Sequence, residues 1–167
     1  MSKEEPKREP YSSDNDPVED EPASIDIQSI DNLYKSAMNV YHNPILANLA
    51  TSQAILESGL PNNPSKLAIE GKNLFGIKGK GTDGSIKLLT WEYIDNEDIR
   101  VYADFAKNKT YEDSFRQHYN LMHKPRYAKV LKSNTLEEAA RAVHTAGYAT
   151  DPNYSTKLIH IYYEYLT

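Results

Sequence analysis

Residues 43–59 read NPILANLATSQAILESG, and both ends of this run carry the chemistry of a helix boundary. Asn43 is a good N-cap, because its side-chain oxygen can accept from the unpaired amides of a first turn, and Pro44 suits the first helical position, where no amide is needed. Gly59 is the natural stop, since the left-handed conformation that closes a helix costs it little. A helix over 44–58 places Ile45, Leu49 and Leu56 on one stripe, with Leu46, Gln53 and Glu57 along its flank. That stripe needs apolar partners, and the sequence on either side supplies them.

Upstream, Ile27, Ile30, Tyr34, Ala37 and Met38 recur at spacings of three and four, which predicts a helix beginning near Ser24. Downstream, beyond a stretch rich in Gly, Lys and Asn, residues 85–90 and 99–105 read as two strands joined by the acidic loop Asp95-Asn96-Glu97-Asp98. Three further helices have marked starts. Thr110 with Asp113 and Thr135 with Glu138 form capping-box pairs, and Asp151-Pro152 repeats the N-cap and first-turn proline. Pro125 separates the run 111–123 from a short helix over 126–131. The class is α+β: a mainly α-helical body carrying one small β-hairpin.

Composition narrows the function. Of 167 residues, 39% are hydrophobic and 26% charged, and the mean hydropathy is −0.70, the profile of one globular domain with a polar attachment. No window approaches the roughly 18 apolar residues of a membrane helix, and the N-terminus lacks the apolar centre of a secretory signal, so neither membrane insertion nor export by that route is expected. With no cysteine, disulfides, thiolate metal sites and cysteine nucleophiles are excluded. The net charge of −5 sits in the first 22 residues, which hold three of the 19 basic and eight of the 24 acidic residues, leaving 16 of each for the rest. Four of the nine prolines also fall there, so residues 1–22 read as a disordered acidic tail or linker and 23–167 as the folded domain. A neutral body offers no electrostatic footprint for nucleic acid and no basic face for an anionic membrane.

Glu57 is the leading candidate for chemistry. It lies at the edge of the core in the last turn before Gly59, where the negative end of the helix dipole disfavours a carboxylate and favours a carboxyl that keeps its proton, as a general acid must. A solvated glutamate on the helix edge is the plainer alternative. Glycoside hydrolysis by two carboxyl groups needs a second acid, and Asp83, Glu92, Asp95, Glu97 and Asp98 cluster near the hairpin. Glu92 stands out between Trp91 and Tyr93, rings able to stack on sugars, although a solvent-facing strand position explains it as well. The five histidines show no metal-ligand spacing: His118 and His123 are five apart, and His144 reads as structural. No metal and no cofactor is expected. Lys72, Lys78, Lys80 and Lys87 read as a solvated basic stretch suited to the carboxylates of a peptide-bearing glycan. Among thirteen tyrosines, Tyr148 differs in lying on a loop, where site residues concentrate.

Four segments together carry a resemblance: ILANLATSQAILESG at 45–59, NLFGIK at 73–78, Arg126-Tyr127, and GYATDPNY at 147–154. In order and spacing they resemble the peptidoglycan-cleaving glucosaminidases of glycoside hydrolase family 73, from about residue 26 to the end. The resemblance implies a lysozyme-like helical domain with a small β-lobe that hydrolyses the β-1,4 bond after N-acetylglucosamine in the wall glycan. It makes Glu57 the catalytic acid, Tyr148 an active-site tyrosine and Glu92 the second acid, with the hairpin's other acids as competitors. Gln53, Asn73, Phe75, Trp91 and Tyr154 are expected along the substrate. Either Glu92 activates water, inverting the anomer, or the substrate's own N-acetyl group attacks, retaining it. A muramidase or lytic transglycosylase on the same fold, or a non-catalytic wall-binding or virion module, are the alternatives. A wall hydrolase with no visible signal peptide points to a phage lysin or virion-associated enzyme, released by a holin or carried on the particle, or to a fragment of an exported autolysin. In that setting residues 1–22 are available to a virion or other protein partner.

Overall fold

The computed structural model describes residues 27–167, so the tail expected over 1–22 and the first turn expected near Ser24 lie outside the described residues. Helix α1 runs Ile27–Tyr41, and His42, at φ 51°, turns the chain sharply into α2, Pro44–Ser58. Both marks on α2 act as read. Asn43 Oδ1 accepts from the amides of Ile45 (2.9 Å) and Leu46 (3.2 Å), and Gly59 closes the helix at φ 79°. The single apolar stripe understates this helix, because Leu46, Ala47, Ala50, Thr51, Ser52 and Ala54 are buried together with Leu49. Alanine and serine on the remaining faces let α1, α6 and α7 approach closely, so α2 becomes the axis of the core.

Helix α3, Lys66–Glu70, is capped by Ser65 and went unanticipated, since five residues show no periodicity. Strands β1 (Ser85–Ile94) and β2 (Glu97–Ala106) pair antiparallel, with Ser85 opposite Ala106 and Ile94 opposite Glu97. The expected four-residue acidic loop is instead a two-residue turn. Asp95 and Asn96 adopt φ 50° and 64°, the left-handed pair whose twist matches a hairpin, so Glu97 and Asp98 join the ladder and both strands lengthen. A small cluster of Leu67, Leu88 and Phe105, with Ile86 against it, fastens the hairpin to α3.

Helix α4, Tyr111–Met122, has the full capping box of Thr110 and Asp113. A tight turn at Pro125–Tyr127 leads into α5, Ala128–Leu131, and then α6, Leu136–Thr145. Thr135 caps α6 as read, while the Glu138 carboxylate reaches the amide of Asn134. The final start is corrected. Asp151 Oδ1 accepts from the Asn153 amide and its carbonyl from the Tyr154 amide, closing a turn, so α7 begins at Tyr154 and runs to Ile161, with a wider turn over Tyr162–Leu166. That shift places Tyr154 on the first turn of a helix packed against α2.

Gly59 is the most exacting position in this frame. Besides its positive φ, a Cβ there would lie 2.0 Å from the carbonyl oxygen of Asn63. Gly59→Ala is expected to destabilise by roughly 1–3 kcal/mol, read as a lower denaturation midpoint at unchanged slope.

Candidate active site

Glu57 is half-buried in the last turn of α2, and the group that meets it comes from the far end of the chain. The Tyr154 hydroxyl donates to Glu57 Oε1 at 3.0 Å. It accepts in turn from Gln53 Nε2 at 2.9 Å, and Gln53 lies one helical turn before Glu57 on the same side of α2. Behind Gln53, its Oε1 is 2.7 Å from His118 Nε2 on α4, and His118 Nδ1 is 2.7 Å from the hydroxyl of Tyr41 on α1. Four helices thus contribute to one line of hydrogen bonds that ends on Glu57.

Everything behind Glu57 in this line is buried: Gln53 and His118 at 0% exposure, Tyr154 at 3% and Tyr41 at 8%. In such a place an unpaired polar group costs about 1–3 kcal/mol, which is why each finds a partner inside the protein. Burial drives the histidine neutral, lowering its pKa from 6.5 to about 3. Burial also raises Tyr154 well above the ordinary tyrosine value, with the negative charge of Glu57 and then Tyr148 adding to the effect. Tyr41 is pushed the same way by burial, reinforced by Tyr119.

Tyr148 stands beside this line. Its ring stacks on Tyr154 at 5.8 Å between centroids and 18° between planes, and lies 6.2 Å from Tyr127. The loop that carries it is braced by Arg126, whose guanidinium donates to the carbonyls of Ala146 (3.1 and 2.7 Å) and Gly147 (3.1 Å). Arg126 and Tyr127, two residues from one motif, therefore brace the same loop together, the guanidinium lying 5.0 Å over the Tyr127 ring.

Asn73 and Phe75 serve the frame. Asn73 is 1% exposed, and both ends of its amide are spent on backbone: Nδ2 donates to Ile77 O and Ala106 O, and Oδ1 accepts from the amides of Phe75 and Ile77. Phe75 is buried with its ring 4.5 Å from that of His118 and 5.6 Å from Phe115. Four residues expected along the substrate, Gln53, Asn73, Phe75 and Tyr154, are thus committed internally. Burial corrects their place from the surface to the interior, because none of the four has exposed surface to offer a sugar, although Gln53 uses only one N–H and one lone pair of its amide.

On the hairpin, alternation separates the residues that sequence put side by side. Glu92 shares the inward face of β1 with Ile86, Leu88 and Thr90, whereas Trp91 and Tyr93 point to the other face, where Arg100 lies 5.4 Å over the Trp91 ring. Glu92 is thus part-exposed on the face it shares with Leu88 and Thr90, and Trp91 is not on that face. Lys78 pairs with Glu92. Lys78 also bridges Phe105, opposite Ile86, and a flat strand would carry Glu92 about 20 Å beyond that point, well outside the combined reach of the two side chains. The ribbon must therefore coil strongly back over the NLFGIK loop, as two-stranded ribbons readily do.

His118 and Tyr41 are the site residues that sequence reading missed. The signal was available in α4, where Ser114, Phe115, His118 and Met122 follow a helical spacing that turns the histidine inward. Among the described residues, no three His, Asp or Glu side chains are grouped to hold a metal ion, and no helix is long and apolar enough to cross a membrane.

With this geometry in view, comparison with known proteins is informative. Residues 31–167 match the glucosaminidase family, described as mannosyl-glycoprotein endo-beta-N-acetylglucosaminidase. The chain is 34% identical over 157 residues to the exo-glucosaminidase LytG of Bacillus subtilis, covering 89% of this chain and 55% of that protein. It is 36% identical over 115 residues to the peptidoglycan hydrolase FlgJ of Escherichia coli K12, covering 66% and 37% respectively. It thus spans about half or less of these relatives' lengths. Its fold is similar to the catalytic domain of the autolysin Auto from Listeria monocytogenes, with a TM-score of 0.73 at 26% identity over 87% of this chain and 88% of that one.

The buried neutral histidine fixes the sign of one acid effect. Unfolded, His118 binds a proton below pH 6.5; folded, it does not until about pH 3, so its share of stability is present above 6.5 and lost as pH falls through that window. Unfolding free energy should drop by about 1 kcal/mol per pH unit from this group alone. In His118→Gln, chemical denaturation followed across pH should lack that part of the slope.

Proposed function

Because this chain belongs to the glucosaminidase family, we propose that it is a peptidoglycan hydrolase that cleaves the β-1,4 bond after N-acetylglucosamine in the wall glycan. The observation that carries the reading is Glu57, half-buried at the C-terminal end of α2 and accepting a hydrogen bond from the hydroxyl of a buried tyrosine. A carboxyl in such surroundings can protonate the leaving oxygen of a glycosidic bond, and Tyr154 supplies a fixed dipole to the carboxylate that results. In this reading Tyr148, stacked on Tyr154 on a braced loop, orients the sugar or its N-acetyl group.

Glu92 is the second acid in this reading. Its support is the inward face of the coiled hairpin and the tie through Lys78 to the loop clamped by Asn73; Asp95, Glu97 and Asp98 belong to the turn and ladder at the hairpin's tip. In the inverting scheme Glu92 activates water on the far side of the sugar from Glu57. The wall glycan is the partner so implied. Residues 1–22 lie outside the matched region, and their acidic, proline-rich composition supports a linker or a contact with a virion or other protein.

Digestion of purified cell walls with analysis of the new ends tests the activity. Reducing N-acetylglucosamine ends are expected; reducing N-acetylmuramic acid ends would make the protein a muramidase, anhydro ends a lytic transglycosylase, and no new ends a binding module. Long fragments would mark internal cutting, and early release of disaccharide would mark action from chain ends. Glu57→Gln should lose at least about 10²-fold in rate while keeping the fold, since shape is preserved and only the proton donor is removed. Near-normal turnover in that variant refutes the assignment.

Glu92→Gln separates the two schemes by rate and stereochemistry. If Glu92 is the base, the rate falls at least about 10²-fold and fresh product has the inverted anomer, read by proton NMR during hydrolysis. A small loss with retention would assign the attack to the substrate's N-acetyl group and leave Glu57 as the indispensable carboxyl.

A further inference from the structure

We infer that His118 is a positioning residue for the acid, acting on Glu57 through Gln53 and Tyr154; the inference rests on the reading of Glu57 as that acid. With the ring of His118 neutral, a continuous line from Tyr41 to Glu57 has two possible proton orders. In the first, every group donates toward Glu57: Tyr41 to His118 Nδ1, His118 Nε2–H to Gln53 Oε1, Gln53 Nε2–H to the Tyr154 oxygen, and Tyr154 O–H to Glu57 Oε1. In the second, each bond reverses, and Glu57 must itself donate to Tyr154. The structure holds the first, because Gln53 turns its nitrogen to Tyr154 and its oxygen to His118.

The residues behind Gln53 complete that order. An amide oxygen only accepts, so His118 Nε2 must carry a proton, and a neutral ring then has a bare Nδ1, which takes the proton of Tyr41. An imidazolium would present N–H on both sides, and burial keeps the ring neutral down to about pH 3. Gln53 has no exposed surface through which water could satisfy a turned amide. A neutral histidine protonated on Nε2 is therefore the tautomer that matches this orientation of Gln53, which turns its amide N–H to Tyr154 and leaves the single Tyr154 proton for Glu57.

The effect on Glu57 is specific. Oε1 stays an acceptor whether the carboxyl is neutral or charged, so a proton carried by Glu57 sits on Oε2. The bond from Tyr154 strengthens as negative charge develops during proton transfer, which is where stabilisation raises turnover. Groups facing the histidine are Tyr41 from α1, Gln53 from α2, Phe75 from the loop before the hairpin and Tyr148 from the loop after α6. Tyr154 and Tyr148 act on the Glu57 side. None of these carries a fixed charge that would reorder the line.

The test reads the titration of Glu57 itself, by NMR of protein labelled with 13C at its glutamate carboxyls, the resonance being assigned with Glu57→Gln. His118→Leu fills the space without a donor, so Gln53 is free to turn and draw the Tyr154 proton away. The Glu57 midpoint should then rise by about half to one pH unit. With it, kcat should fall roughly tenfold at unchanged KM. His118→Gln can donate to Gln53 and accept from Tyr41, and should keep both midpoint and kcat near wild type. Tyr41→Phe, which leaves the ring in place, should shift the midpoint in the same direction by less and decides the matter if His118→Leu fails to fold. An unmoved midpoint in every folded variant, or an equal shift in His118→Gln, overturns the role of His118 whatever happens to stability. Activity in Glu57→Gln fails the prior reading of Glu57; an inactive Glu57→Gln with an unmoved midpoint fails only this one.

Discussion

A tyrosine hydroxyl has one proton to give, and Tyr154 gives its proton to Glu57 from a place where water cannot compete for it. Much of the architecture follows from keeping that bond directed. It requires α7 to begin at Tyr154 rather than two residues earlier, and Gln53 to lie one turn before Glu57. It also requires α4 and α1 to bring a neutral histidine and a second tyrosine to the far side of Gln53. Each of those polar groups would be expensive in an apolar core if its partner were missing. The core of this domain and the immediate support of Glu57 are therefore the same set of side chains.

Helix ends and the α+β class were legible in the sequence because they rest on local chemistry. Asn43, Gly59, Thr110 and Thr135 each act within three residues of where they stand, and each does as read. Asp151 was misread because aspartate before proline fits a turn as well as a cap, and here it closes a turn through the amides of Asn153 and Tyr154, which moves the start of α7 to Tyr154. The hairpin turn was misplaced for a related reason: four consecutive polar residues read as loop, yet the left-handed Asp95-Asn96 pair is all the turn needs.

Candidate site residues were legible as names more than as roles. Motif resemblance drew attention to Gln53, Asn73, Phe75 and Tyr154, but a short motif does not say whether a residue faces a cleft or braces it. Burial does, and it places all four inside. His118 and Tyr41 stayed hidden because their partners lie 65 and 77 residues away, a separation at which spacing along the chain carries no signal. Glu92 and Trp91, adjacent in sequence, are parted by the two-residue period of a strand.

The two carboxyls of the proposed reaction are mounted on supports of very different cohesion. Glu57 belongs to α2, buried on most sides among three other helices, so releasing it from its surroundings means dismantling the domain. Glu92 rides on a two-stranded ribbon, a form that is marginal by itself in water, held at its base by three buried side chains and the amide of Asn73. Local opening of that ribbon needs only a small part of the global unfolding free energy, and amide exchange would sort the molecule into a slow half and a fast half along that division. A glycan strand anchored in a cross-linked wall cannot be threaded into a closed tunnel. An enzyme with one stiff jaw and one that opens without unfolding can instead close on such a strand from the side.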